Sequence, residues 1–429
     1  MKGVLEEAVK RGAEATLVVS ESRRTDVSFD FNRLKNVEDT ESFGLSLQVI
    51  RDGKLGVSNS TRVGGEKELL EKALSVAEFG SSVSYRFPEP EPHANPRLFH
   101  PEVAGFELDD MISLGDELVG FIKSLDPAIN GSAGISRNVT EKTIANTRGL
   151  SASWKKTSFF VSAGFQFVEG QNLLQSWDWD VSSSVRYDLE RIKAKIKEDF
   201  ELGRKNVPVE PGVYDVLFTP MGFSGIIHPI LACLDGRAVM RGISPFKDRI
   251  GEEIFAPSFS LVEDGTLDDG LGSQLYDDQG VACRRTPLIE RGILREYLLD
   301  LESAHRLGRK PTGTGTASGS RPNNLLVTPG EKSWEELLKG MKRGIVIDQT
   351  MGSWAGNPYT GTVTGNVSLG FLVINGEKVG RVKDCMFSLN VFGHLKSNLL
   401  GLSRETKNTG QAILPYCLIG GVSIATRSS

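Results

Sequence analysis

Leu369-Gly-Phe-Leu-Val-Ile-Asn375-Gly376-Glu-Lys378-Val-Gly-Arg-Val382 sets two apolar runs on either side of an Asn-Gly dipeptide. A type I′ turn needs positive φ at both central residues, which Asn and Gly tolerate, so the stretch reads as an antiparallel hairpin. Arg291-Gly292 reads the same way. So does Asp52-Gly53, which divides the alternating set Phe43, Leu45, Leu47, Val49 from Leu55 and Val57. Connections this short force antiparallel pairing, because parallel neighbours need longer crossovers. The expected fold class is therefore α+β and not a doubly wound parallel sheet. A mixed α/β N-terminal domain over 1–206 precedes a large, mostly antiparallel β domain over 207–429, with Pro208 and Pro211 punctuating the boundary.

Working outward, Val27, Phe29 and Phe31 alternate as another half-buried strand, and the patterning predicts strands over 131–135, 142–146, 151–167 and from Val213. Helices are expected over 2–11, 66–79, 109–125, 185–205 and 302–307, with one more after Pro220. The first of these carries Glu6 and Glu7 within its apolar stretch, so it reads as an amphipathic helix and not as a secretory signal. Residues 86–101 hold five prolines in sixteen positions, which excludes helix and central strand. The segment reads as a stiff crossing arm or a docking strap.

The chain has 429 residues, 39% hydrophobic and 24% charged, more than one typical core requires. A net charge of −5 offers no surplus of cations for phosphates, so nucleic acid is not an expected partner. No apolar run reaches the roughly 20 residues that span a bilayer, so no membrane partner is expected either. Cys233, Cys283, Cys385 and Cys417 are scattered without a Cys-x-x-Cys pair, which fits free buried thiols in a reducing, cytoplasmic setting.

Metal chemistry turns on the segment from Met221 to Gly236, where His228 and Cys233 stand five residues apart. A hydrolytic helix needs two ligands about a turn apart and a carboxylate beside them to take a proton from the metal-bound water. Pro229 follows the histidine and no acid lies between the pair, so packed core is the plainer reading. His93, His100, His305 and His394 are isolated, and no Gly-x-Ser-x-Gly elbow occurs. The glycine-rich run Pro311-Thr-Gly-Thr-Gly-Thr-Ala-Ser-Gly-Ser-Arg321 follows a helix, lacks a Gly-Lys-Ser/Thr ending, and reads as a mobile surface loop. The acids of Glu263 to Gly270 and of Tyr276-Asp-Asp-Gln-Gly280 miss the calcium-loop spacing and read as solvated turns.

The run from Tyr276 through Val281-Ala-Cys-Arg-Arg-Thr-Pro-Leu-Ile-Glu to Asp300, continuing through Ser303-Ala-His-Arg-Leu-Gly308, resembles the signature of the PmbA/TldD family, once called modulators of DNA gyrase. Gly356-Asn-Pro-Tyr-Thr-Gly361, the Phe371 to Glu377 hairpin and Asn36-Val-Glu-Asp-Thr-Glu-Ser-Phe-Gly-Leu fit as well, so the resemblance runs along nearly the whole chain. It implies a two-subunit metallopeptidase. One subunit, the TldD type, holds zinc through a His-Glu-x-x-x-His helix and a cysteine near the C-terminus, and the PmbA/TldE type lacks them. Here only His228 of that helix is kept, with Cys233 beside it as a degenerate remnant, and Ser403 to Gln411 carries no cysteine. The resemblance thus implies a TldE/PmbA-like chain with no catalytic residue, metal or cofactor of its own. Zinc is expected on a TldD-type partner in a heterodimer acting on small or unfolded peptides, and a homodimer is expected when the chain is alone. The alternatives are a homodimeric peptide-binding or regulatory protein, and an independent enzyme with an uncatalogued site.

Overall fold

A computed structural model describes residues 1–170, 172–353, 355–410 and 412–426. Six strands, β1 (Ala13–Asp30), β2 (Arg33–Arg51), β3 (Lys54–Ser60), β4 (Asn130–Asn146), β5 (Ser151–Glu169) and β6 (Asn172–Ser182), form an antiparallel sheet in the order β3-β2-β1-β4-β5-β6. Asp52 and Gly53 take φ of 51° and 72°, as their turn requires. Phe31 is not a strand residue: with Asn32 it forms the β1–β2 turn, at φ of 50° and 61°. Asn32 pins that turn, donating from Nδ2 to the Ile129 carbonyl and accepting from the Gly131 amide. The two short strands expected over 131–146 are one, because β1 and β5 pair along both edges of β4.

Helices α1 (Lys2–Lys10) and α2 (Glu66–Phe79) bury Leu5, Leu70 and Leu74 against Leu17 and Leu47 at one end of this sheet. After α3 (Pro101–Ala104), α4 (Leu108–Leu125) and α5 (Leu189–Gly203) cover its other end. Asp188 caps α5, its carboxylate accepting from the Arg191 amide at 2.9 Å. Ile192, Ile196 and Phe200 of α5 share one core with Phe159 and Phe165 of β5 and with Leu217, Val346, Phe371 and Leu418 of the second sheet. The two halves are joined through a continuous apolar layer.

In the second half Gly212–Phe218, Arg343–Met351, Thr362–Ile374, Cys385–Asn390 and Ala412–Thr426 pair in a closed ring. Phe218 and Phe387, on non-adjacent strands, meet edge-on at 5.8 Å. Most pairings are antiparallel. The Asn375-Gly376 and Arg291-Gly292 turns carry positive φ at both residues. Three short helices, Pro220–Ser224, His228–Leu234 and Gly236–Met240, stand where one was expected after Pro220. Residues 86–100 have no regular structure and form a crossing arm. Its Pro88 carbonyl accepts from Asn146, its Glu91 carbonyl from the Tyr276 hydroxyl, and Arg97 pairs with Asp269 at 2.6 Å. The four cysteines are buried and unbridged. No described helix is long and apolar enough to cross a membrane.

Candidate functional site

Thr219 starts the helical segment, its hydroxyl accepting from the Gly222 amide at 3.2 Å. Gly222 is required there because a Cβ would lie 2.4 Å from the Ile347 carbonyl oxygen. The backbone then reaches His228, which is exposed, with Pro229 in the first turn of its helix. Cys233 lies on a different face, since five steps of about 100° put the side chains about 140° apart. Its thiol is sealed in the second-half core and burial pushes it up to about 12. The next acid, Asp235, accepts from the Arg237 and Ala238 amides and caps the following helix.

Ser403 is a core hydroxyl, donating to the Glu405 carbonyl and accepting from the Tyr416 amide. Zinc needs converging nitrogen, sulfur or carboxylate donors in a tetrahedron, and these residues do not fit it. Among the described residues no three His, Cys, Asp or Glu side chains converge as a metal-holding group. His100 hydrogen-bonds Asp269, and His394 lies between the carbonyls of Asn390 and Gly421.

Two clefts at the junction of the halves gather the charged side chains. The first, a cavity of about 680 Å³, lies between α5, β6 and the second sheet. Lys195 donates to Asp199 and, at 2.9 Å, to Asp348. Beside it Lys407 and Arg191 both donate to Asp178, and Arg191 also reaches Asp180 at 2.7 Å. Burial opposes ionisation of Asp348, but the charge and hydrogen bond of Lys195 outweigh it and hold the carboxyl below its usual range. For Asp199 burial wins, with Asp348 adding repulsion, and its carboxyl is raised to about 6. Trp334 stacks on Tyr416 at 5.3 Å, and the Lys378 amine sits 5.5 Å from the Trp334 ring.

The second cleft lies where β1, β4 and β5 face the loop 271–278 and the glycine-rich run. Here the solvated-turn reading fails. Glu263, Asp264 and Asp277 are 0%, 4% and 1% exposed. Asp277 accepts from the amides of Gln279, Val281 and Gly315, and burial still raises its carboxyl to about 7. Glu263 Oε1 accepts from the backbone and side chain of Asn323, its Oε2 has no hydrogen-bond partner among the described residues, and burial raises the carboxyl to about 8. The glycine-rich run is not a surface loop along its length: Thr312 to Gly315 are buried, while Ser318 at its tip and Arg321 at its end are exposed. Gly313, at φ of 74°, packs its backbone against Ala282 and Cys283. Lys142 of β4 donates to Asp278 at 2.6 Å, which ties the Tyr276 to Gly280 motif to the first sheet. Lys142, Lys156 and Arg321 went unnoticed in the sequence, because their meeting depends on the β4–β5 register and on the path of the loop.

Comparison with known proteins adds to this geometry. Residues 211–426 match the family model described as PmbA/TldA metallopeptidase C-terminal domain, and residues 15–78 match that of PmbA/TldA metallopeptidase domain 1. The chain is 25% identical to the metalloprotease PmbA of Escherichia coli O157:H7 over 468 aligned positions, covering 97% of this chain and 96% of that protein. Two solved structures share the fold over 99% of both chains. They are a Thermotoga maritima protein provisionally described as a modulator of a DNA gyrase (TM-score 0.89, 24% identity) and TldE from Thermococcus kodakarensis (TM-score 0.88, 22% identity).

Proposed function

The chain belongs to the PmbA/TldD metallopeptidase family, and from that premise we propose that it is the peptide-binding, non-catalytic subunit of a peptidase complex whose zinc is held by a TldD-type partner. The observation that carries this reading is the separation of His228 from Cys233. An exposed imidazole followed by Pro229 and a thiol locked in an apolar core cannot jointly activate a water molecule. A peptide bond needs both an activated nucleophile and oxyanion stabilisation, and the partner supplies the first.

Two surface features support a binding role. Exposed Leu173, Trp177, Met351 and Met386 rim a groove of about 640 Å³, the type of apolar surface that a subunit buries against its partner. Among the described residues the outer edge of β2 is unpaired from Arg33 to Gly44, since β3 pairs only with Leu45 to Arg51. Such an edge accepts an extended peptide as another strand and refuses a compact domain.

The test is reconstitution. This chain alone should leave unfolded peptides intact, and adding a TldD-type chain should give cleavage that a chelator abolishes while folded proteins resist. Cleavage by this chain alone, or cleavage by the pair that survives chelation, overturns the division of labour. Produced alone, the chain should sediment as a dimer, using the Trp177 surface against a second copy.

A further inference from the structure

The first sheet and the loop 271–278 enclose a cavity of about 400 Å³, within the roughly 300–1,000 Å³ typical of small-ligand sites. Lys142 of β4, Lys156 of β5 and Arg321 line it, with Asp278 opposite. Lys142 is satisfied, donating to Asp278 at 2.6 Å and Gln274 at 2.8 Å. Lys156 donates to one neutral atom, the Leu271 carbonyl oxygen at 2.8 Å, and has no carboxylate within ion-pair distance among the described residues. The Arg321 guanidinium likewise makes no ion pair among them, and its residue is exposed at the mouth. Three cations therefore face one carboxylate. Burial first, then repulsion from Lys142 and Arg321, depresses the Lys156 amine to about 8.

Lys156 is half-buried, and a cation drawn partly out of water without a counter-charge is costly, so folded proteins ordinarily pair it. Here the missing partner has a space beside it. With Lys142 neutralised by Asp278, the surplus is the charge of Lys156 and Arg321, and Asp278 repels a second negative charge. That balance suits a carboxylate better than a phosphate dianion. Asn138, Thr140 and Ser158 on the cavity floor supply neutral hydrogen-bonding groups for the amide next to it.

We propose that this cavity is a subsite for the C-terminal carboxylate of a peptide, held between Lys156 and Arg321. The assignment rests on the peptide-binding reading above and adds polarity to it: the peptide enters this cleft by its C-terminal end.

Random octapeptides free of Asp and Glu test it, made as free acids and as C-terminal amides, with a third amidated set carrying one internal Glu. The immobilised full-length chain should retain free acids over amides by about tenfold, the scale of one charge-assisted contact. Lys156→Met and Arg321→Gln should each bring that ratio towards one. Arg321 is exposed, so its variant keeps the test valid if Lys156→Met fails to fold. Equal retention of acids and amides by the unaltered chain overturns the subsite and leaves peptide binding intact. Retention of neither set removes both. Preference for the internal-Glu amides, or displacement of the acids by equimolar inorganic phosphate, overturns the assignment to a chain-end carboxylate.

Discussion

The two clefts at the junction of the halves solve the same problem in opposite ways. In the cleft beside α5, each deeply buried charge has an opposite charge in contact: Lys195 with Asp199 and Asp348, Lys407 and Arg191 with Asp178. In the cleft beside the glycine-rich run, Asp277 and Glu263 are buried and Lys156 half-buried, none with a counter-ion among the described residues; the two acids accept from neutral donors, and the lysine donates to a neutral carbonyl oxygen. A closed network of pairs ties the two halves together. Isolated charges are the arrangement expected of a cleft that takes a charged ligand, as proposed above.

The most severe way to break the paired region is to remove one member. Lys195→Met leaves Asp199 and Asp348 facing each other without the cation they share, and breaking a buried pair costs about 3–5 kcal/mol. Urea denaturation should show that loss, and the double variant Lys195→Met/Asp348→Leu should recover much of it. A loss below about 1 kcal/mol, the size of an exposed pair, would show that water screens this network.

Much of this architecture was legible from local chemistry. The Asn375-Gly376 and Asp52-Gly53 turns carry their φ requirement in both residue types, and the Arg291-Gly292 turn carries it in Gly292, so the hairpins and the α+β class followed. The Phe31-Asn32 turn did not. Phenylalanine rarely takes positive φ, and this turn depends on Asn32 bonding Ile129 and Gly131 almost a hundred residues away. The polar middle of β4 hid its continuity for a related reason, since the pairing comes from neighbours on both sides. Among the candidate residues, His228 and Cys233 were found as residues, but their separation is a matter of helical phase and core packing. The acids at Glu263 and Asp277 were misread because composition alone cannot reveal that Asn323 and the Gly315 amide arrive to satisfy them.

Glu263 sharpens the comparison through pH. Its carboxyl titrates near 4.5 when unperturbed and near 8 in the fold, so between those values the folded chain holds a proton that the unfolded chain releases. Its stabilising contribution is complete below about 4.5 and declines until pH passes about 8. Glu263→Gln keeps an acceptor for Asn323 and removes the titration. The advantage of the variant in denaturation free energy should therefore grow by about 3–4 kcal/mol from pH 5 to pH 8, at about 1.4 kcal/mol per pKa unit between 4.5 and about 8. A difference constant with pH would show Glu263 ionised throughout.

The smallest effect separates the two lysines directly. Removing the Lys195 charge leaves two acids behind and should destabilise the chain. Removing the Lys156 charge leaves only the Leu271 carbonyl oxygen, a weaker loss than the desolvation that it relieves. Folding disfavours the charged Lys156 amine, whose value falls from 10.5 to about 8, so at pH 7 the native lysine subtracts from stability. That penalty lessens as pH rises from about 8 to about 10.5. Lys156→Met should accordingly raise the free energy of unfolding by about 1–2 kcal/mol at pH 7, allowing for water that reaches the cavity, with the gain shrinking toward pH 10. Destabilisation at pH 7 would mean that the Leu271 hydrogen bond dominates and that this amine is a structural tie. Stabilisation on losing the lysine would mark it as a group kept at a cost to the fold, as expected when the counter-charge arrives with a ligand.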